Sequence, residues 1–177
     1  MRHKHPRNYF ENNCLYGIRK ILNRFLEEIT IEHFNKIFEL NVLGLLFTSQ
    51  EALKYFDSHG GSIINISSLA SKTAPVATSV YSASKAAVDA ITKSLSQELG
   101  SRNIRVNSIN PGLVETEGVQ SARFADSASN FRTEYEKSVS LGRLGQPKDI
   151  APAVIFLASD DASWITGETF YISGGYC

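Results

Sequence analysis

Residues 62–112 read SIINISSLASKTAPVATSVYSASKAAVDAITKSLSQELGSRNIRVNSINPG. SIINIS (62–67) is a short apolar run bounded by glycine and serines, which suits a buried strand. From Tyr81 to Gly100 the residues Ala86, Ala87, Ala90, Ile91, Leu95 and Leu99 recur at helical spacing, which marks them as the inner side of a helix. IRVNSINPG (104–112) is a second strand that closes in a Pro-Gly turn. A strand, a helix and a strand in that order form a parallel crossover.

The pattern extends both ways. Thr30 is a helix cap, with His33 where a capping box would place Glu. Phe34, Ile37, Phe38, Val42, Leu45, Ser49, Ala52, Leu53 and Phe56 then predict one long helix to about Ser58, which Gly60-Gly61 ends. On the other side, Phe124, Ala128, Phe131 and Tyr135 are spaced as one face of a helix or of two short ones. KDIAPAVIFLAS (148–159) predicts an amphipathic helix and TFYIS (169–173) a third strand. The expectation is an α/β domain with a parallel sheet, free of repeats, low-complexity tracts and linkers.

The chain has 177 residues, 42% hydrophobic and 20% charged, a size that fits one domain with a real core. Eighteen basic residues balance eighteen acidic ones, so no net field recruits nucleic acid or an anionic membrane. No apolar run has the length of a membrane span. Cys14 and Cys177 form no CxxC or Cys/His cluster and read as free thiols of a reducing compartment. His3 and His5 read as solvated, so no metal is expected. The sequon Asn65-Ile66-Ser67 lies inside a strand pattern with no signal peptide ahead of it, and the reading is cytoplasmic. Residues 1–30 carry six Lys/Arg against three Glu, and the opening 1–25 shows neither clean periodicity nor a cap.

Tyr81 and Lys85 stand four apart and share a helix face. A free tyrosine, with a pKa of about 10, is a poor acid or base near neutrality, and a cation beside it favours the phenolate. Taken alone, such a pair is more often an ordinary surface pair that arises by chance. Ser67 and Ser68 follow the first strand at the carboxyl edge, where open α/β sheets bind ligands. The second strand ends at that edge with Asn110-Pro111-Gly112-Leu113-Val114-Glu115-Thr116. Asn41 interrupts the apolar stripe of the long helix, and a buried carboxamide there needs partners. Plainer roles exist: a turn cap for the serines, a strand exit for Pro111-Gly112, a kink for Asn41. A serine-hydrolase reading fails, because no GxSxG occurs and all four histidines precede Ser68.

Five blocks in order, NVLG (41–44), NISS (65–68), YSASK (81–85), IRVNSINPGLVET (104–116) and GRLGQPKDIAPAVIFLASDDASWITGE (142–168), resemble the short-chain dehydrogenase/reductase family. Within it they are most similar to the bacterial group that includes 3-oxoacyl-carrier-protein reductases and glucose 1-dehydrogenases. The resemblance implies the later part of a Rossmann-like, doubly wound parallel sheet and an NAD- or NADP-dependent interconversion of alcohol and carbonyl. It implies that Tyr81 is the general acid/base and that Ser68 hydrogen-bonds the reacting oxygen. Lys85 would lower the tyrosine pKa and bind the nicotinamide ribose, and Asn41 would hold a relay water. Pro111, Gly112, Val114 and Thr116 would line the nicotinamide and its phosphate. The substrate would be a small alcohol or ketone, or an acyl-carrier thioester. The assembly would be a homodimer or homotetramer built on the long helix and the Tyr81 helix.

Complete members open with a glycine-rich strand-turn-helix that cradles the pyrophosphate. No GxGxxG can be written in this sequence, where only Gly17 precedes Gly44. The expectation is that 1–25 is foreign to the fold, through a frameshift, a misplaced start or a broken gene, and that 26–177 is the catalytic part. The alternative function is a non-catalytic remnant that at most associates with other subunits.

Overall fold

The computed structural model describes residues 24–117, 119 and 130–176. Cys14, Cys177, His3, His5, Phe124, Ala128 and nearly all of the 1–25 segment lie outside the described residues.

The Thr30 hydroxyl accepts the His33 N–H at 3.1 Å and opens α1, Ile31–Phe38. The helix continues through a π-helical turn, Glu39–Leu43, into α2, Gly44–Ala52. The stripe holds at Ile37 and Ser49, both buried, but His33 takes the inner place expected for Phe34, which is exposed. Gly60, with φ of +80°, lies so close to Asn103 that a Cβ would collide with its carbonyl. The chain thereby enters β1, Gly61–Ile66.

β1 pairs in parallel with β2, Ile104–Pro111, from Gly61 opposite Ile104 to Ile66 opposite Ile109. β2 pairs in parallel with β3, Thr169–Ile172, giving the order β1-β2-β3. The outer edge of β1 carries no strand among the described residues. Between β1 and β2 run α3, Ala70–Thr73, and α4, Ser79–Leu99; between β2 and β3 run α5, Asn130–Ser138, and α6, Pro147–Ala158. Among the described residues no helix is long and apolar enough to cross a membrane.

Strand alternation splits the central strand between two cores. Ile104 and Val106 pack with Leu99, Leu53, Phe56, Ile63 and Leu95. Ile109 packs on the other side with Leu157, Ala162, Val154 and Phe170. Burying a side chain such as Ile109, which is 0% exposed, stabilises by about 2–3 kcal/mol.

The inner face of α4 differs from the sequence expectation. Val80, Ser82, Ser84, Val88, Thr92, Ser96 and Leu99 are buried, whereas Ala86 and Ala90 are exposed. Small hydroxyl residues bring the helix close to the sheet and satisfy themselves locally. Ser84 Oγ donates to the Tyr81 carbonyl (2.7 Å), Ser96 Oγ donates to the Lys93 carbonyl (2.8 Å), and Thr92 Oγ1 accepts from Asn65 Nδ2 (2.8 Å). Hydroxyls with partners are no burden in a core.

Candidate active site

The carboxyl edge of β1 and β2 extends past the strands as further hydrogen bonds. The Ser67 N–H donates to the Ile109 carbonyl (2.8 Å) and the Leu69 N–H to the Pro111 carbonyl (2.9 Å). Ser67 Oγ donates to the Lys85 carbonyl (3.0 Å), which ties this edge to α4. Ser68 Oγ accepts the Ala70 N–H (3.2 Å) at the start of α3 and lies close enough to the Tyr81 phenol to act on its ionisation. Two residues thirteen apart in sequence therefore meet at the sheet edge.

Burial pushes the Tyr81 phenol above its ordinary value, and the Ser68 hydrogen bond opposes that rise. This corrects the sequence expectation of a cation-depressed tyrosine, because removal from water outweighs the favourable contacts. Lys85 Nζ lies 5.8 Å from the Tyr81 ring centroid and donates to the Ile66 carbonyl (3.1 Å). Burial pushes the Lys85 ammonium down, with the Asp89 carboxylate opposing. Asn41, in the π-helical turn, donates from Nδ2 to Ser84 Oγ at 3.0 Å.

Ser68, Tyr81, Pro111, Gly112, Val114 and Thr116 all line one open cavity of about 650 Å³. Asn41 and Lys85 line a neighbouring groove of about 550 Å³ along β1, and Ile66 borders both. The structure thus gathers six of the eight sequence candidates in one space and sets the other two behind it.

Two groups carry more than the sequence reading gave them. Tyr135, spaced four from Phe131, lines the cavity, and its hydroxyl accepts the Leu113 N–H at 2.8 Å. Its ring stacks on Tyr176 with centroids 5.1 Å apart. Asn110, fully buried, directs Nδ2 at the Ser68 carbonyl (3.2 Å), Ser71 Oγ (2.9 Å) and both carboxylate oxygens of Asp89 (3.1 and 2.9 Å). It fastens the Ser68 segment to the helix that bears Tyr81. A carboxamide inside an apolar strand pattern was the available signal.

A hydroxyl and a phenol side by side in one cavity wall can hold one oxygen atom of a ligand between them and exchange a proton with it. Comparison with known proteins places this arrangement. The family described as enoyl-(acyl carrier protein) reductase matches residues 12–177. An uncharacterised oxidoreductase of Methylorubrum extorquens is 48% identical over 150 residues, 85% of this chain and 59% of that protein. The structure titled ElxO with NADP bound superposes with a TM-score of 0.80 at 32% identity, covering 88% of this chain and 62% of that one. A short-chain type dehydrogenase/reductase from Mycobacterium ulcerans gives a TM-score of 0.81 at 30% identity, covering 87% and 55%. The chain spans less than two thirds of the length of each of these three proteins. On sequence, fold and the layout of its sheet edge, the chain belongs to the short-chain dehydrogenase/reductase family.

Proposed function

We propose that the chain carries the proton-transfer centre of an NAD- or NADP-dependent oxidoreductase that interconverts an alcohol and a carbonyl. The observation that carries this reading is that the Ser68 hydroxyl and the Tyr81 phenol, close enough for the first to act on the second, line the same cavity wall as Pro111, Gly112, Val114 and Thr116. The nicotinamide half of the cofactor fits these residues. A Cβ at Gly112 would meet the Tyr135 hydroxyl at 3.0 Å and Ser173 Cα at 3.1 Å, so glycine lets this part of the cavity wall pack closely against Tyr135 and the end of β3. No glycine-rich phosphate cradle occurs in the sequence to match the other half.

When bound, the nicotinamide supplies or accepts the hydride. Tyr81 keeps its proton at neutral pH, as its upward shift requires, and donates it to the carbonyl oxygen during reduction. Ser68 donates a hydrogen bond to the same oxygen and stabilises the charge that develops there. Lys85 would hold the ribose hydroxyls, and Asn41 would orient a water that returns protons from solvent. The substrate is a small alcohol or ketone or an acyl-carrier thioester, the setting is the cytoplasm, and the assembly is a homodimer or homotetramer.

A second reading, a non-catalytic remnant, is favoured by the open outer edge of β1 among the described residues. Titration of NADH and NADPH by fluorescence or thermal shift separates the two. Micromolar binding, about −8 kcal/mol, supports the oxidoreductase, and no binding at millimolar cofactor supports the remnant.

A further inference from the structure

Tyr81, Lys85 and Asp89 follow at four-residue steps along α4 and form one stripe of the helix. The first two enter the proposed proton transfer, whereas the half-buried Asp89 has no part in it. Its carboxylate accepts Asn110 Nδ2 on both oxygens, at 3.1 and 2.9 Å, and Ser108 Oγ on Oδ1 at 3.3 Å. Both donors are neutral and fully buried on β2. An ionised carboxylate can only accept, so Asp89 obliges Asn110 to turn Nδ2 towards α4 and leaves Oδ1 to the Ser108 hydroxyl (3.1 Å). In that orientation Nδ2 also reaches the Ser68 carbonyl (3.2 Å) and Ser71 Oγ (2.9 Å). A flipped amide would set Oδ1 against the Ser68 carbonyl, acceptor facing acceptor. The carboxylate thus decides whether the Ser68 segment is held or pushed away.

The same charge acts on Lys85, one helical turn back. Removal from water works against the ammonium, and Asp89 opposes that loss. Lys85 otherwise faces uncharged groups among the described residues: the Ile66 carbonyl of β1 (3.1 Å), the Tyr81 ring (5.8 Å) and, along the shared groove, Asn41 and Asn65. We propose that Asp89 is a positioning residue of the proton-transfer centre, whose carboxylate fixes the Asn110 amide that holds the Ser68 segment and serves as counter-charge to the Lys85 ammonium. The proposal deepens the oxidoreductase reading and rests on it for what Ser68 and Lys85 do to a substrate.

The test uses the whole chain labelled with nitrogen-15 and with carbon-13 at the lysine ε position, Lys85 being assigned through Lys85→Gln. Asp89→Asn keeps the size and removes the charge, and Asp89→Glu keeps the charge. Each is titrated between about pH 7 and 11, the range in which lysine loses its proton. The Lys85 midpoint is expected to move to lower pH in Asp89→Asn, so that its ammonium-to-amine ratio at the parent's midpoint falls several-fold. In Asp89→Glu it is expected to stay near the parent's. The Ala70 N–H signal, which reports the Ser68 hydroxyl, is expected to move in Asp89→Asn. An unchanged Lys85 midpoint or an unmoved Ala70 signal in Asp89→Asn overturns the proposal, because a carboxylate that merely braces the fold leaves the Lys85 midpoint in place. Should Asp89→Asn fail to fold, the parent chain decides. On acidification its Asn110 side-chain amide protons and Lys85 ε-carbon are expected to change with one shared midpoint, and unrelated midpoints overturn the proposal. Turnover is followed separately through NADH and NADPH absorbance. A parent chain without turnover refutes the oxidoreductase reading and leaves Asp89 to the Lys85 and Ala70 signals. Turnover whose pH profile is the same in Asp89→Asn as in the parent overturns the role of Asp89 and spares that reading.

Discussion

Replacing Asn110 by Ala removes the carboxamide that joins the Ser68 segment to α4. Its two Nδ2 hydrogens are shared among Ser68, Ser71 and Asp89, and its Oδ1 accepts from Ser108 Oγ at 3.1 Å. A bond to a carboxylate contributes about 1.5–3 kcal/mol and a neutral one about 1 kcal/mol. The expected loss is therefore about 3 kcal/mol, with the Asp89 carboxylate left short of a donor. For a chain of this size that lowers Tm by about 6–12 °C. Asn110→Asp preserves the shape and adds a second carboxylate within about 3 Å of the first, and two such groups resist ionising together. Its deficit should grow as pH rises from 5 to 8, while the Ala variant's deficit stays nearly constant. Thermal melts followed by circular dichroism at both pH values measure this. A drop under about 2 °C for Asn110→Ala, or no pH difference between the two variants, would refute the claim that the network holds this edge together.

If the chain turns over substrate, Tyr81→Phe should lower kcat by about 10²–10⁴-fold with cofactor affinity nearly unchanged, as read by steady-state kinetics and equilibrium titration. Burial raises the Tyr81 and Tyr135 phenols, so below about pH 10 both folded and unfolded chains keep these protons. Above it the unfolded chain releases them first, stability falls with rising pH, and Tyr81→Phe should flatten the decline in Tm between pH 9 and 11. Asp149 is held down to about 2 by Arg143 and the Gln146 N–H, so its contribution is intact above about pH 4 and is lost as pH falls through 2. Acid titration of Asp149→Asn should therefore diverge from the parent only above that window. Gly112→Ala places a methyl against Ser173 and the Tyr135 hydroxyl and should cost about 1–3 kcal/mol by thermal melt, with the Tyr135 resonance displaced.

Much of this was legible in sequence because local rules and global fold agree. Thr30 caps as expected, the three strands fall within a residue or so of their predicted ends, and Pro147 opens α6. Apolarity misled at α4. Ala86 and Ala90 have apolar side chains but too little area to compete for the sheet, whereas Ser84 and Thr92 gain burial once their hydroxyls find partners. Spacing could place Tyr81 and Lys85 on one face; it could not say that the ammonium turns to the Ile66 carbonyl, or that desolvation decides the phenol's direction. Those outcomes depend on β1, which is distant in sequence from the helix it modifies. The π-helical turn was not read from the pattern, because apolar residues at three- and four-residue spacing occur on both sides of it and no gap marks the place.

That turn has a mechanical consequence for the long helix. One surplus residue at Glu39–Leu43 acts as a phase shifter, rotating everything downstream by roughly 100° relative to a regular helix. The segment before it is set by Ile37, the segment after it by Ser49, and the two are in step only because the offset exists. Deleting a single residue within 39–43 would let the helix wind regularly with Ile37 and Ser49 still in step, whereas straightening the turn at its full length would swing Ser49 away from the interior, so the chain is expected to tolerate a one-residue deletion here far better than an insertion.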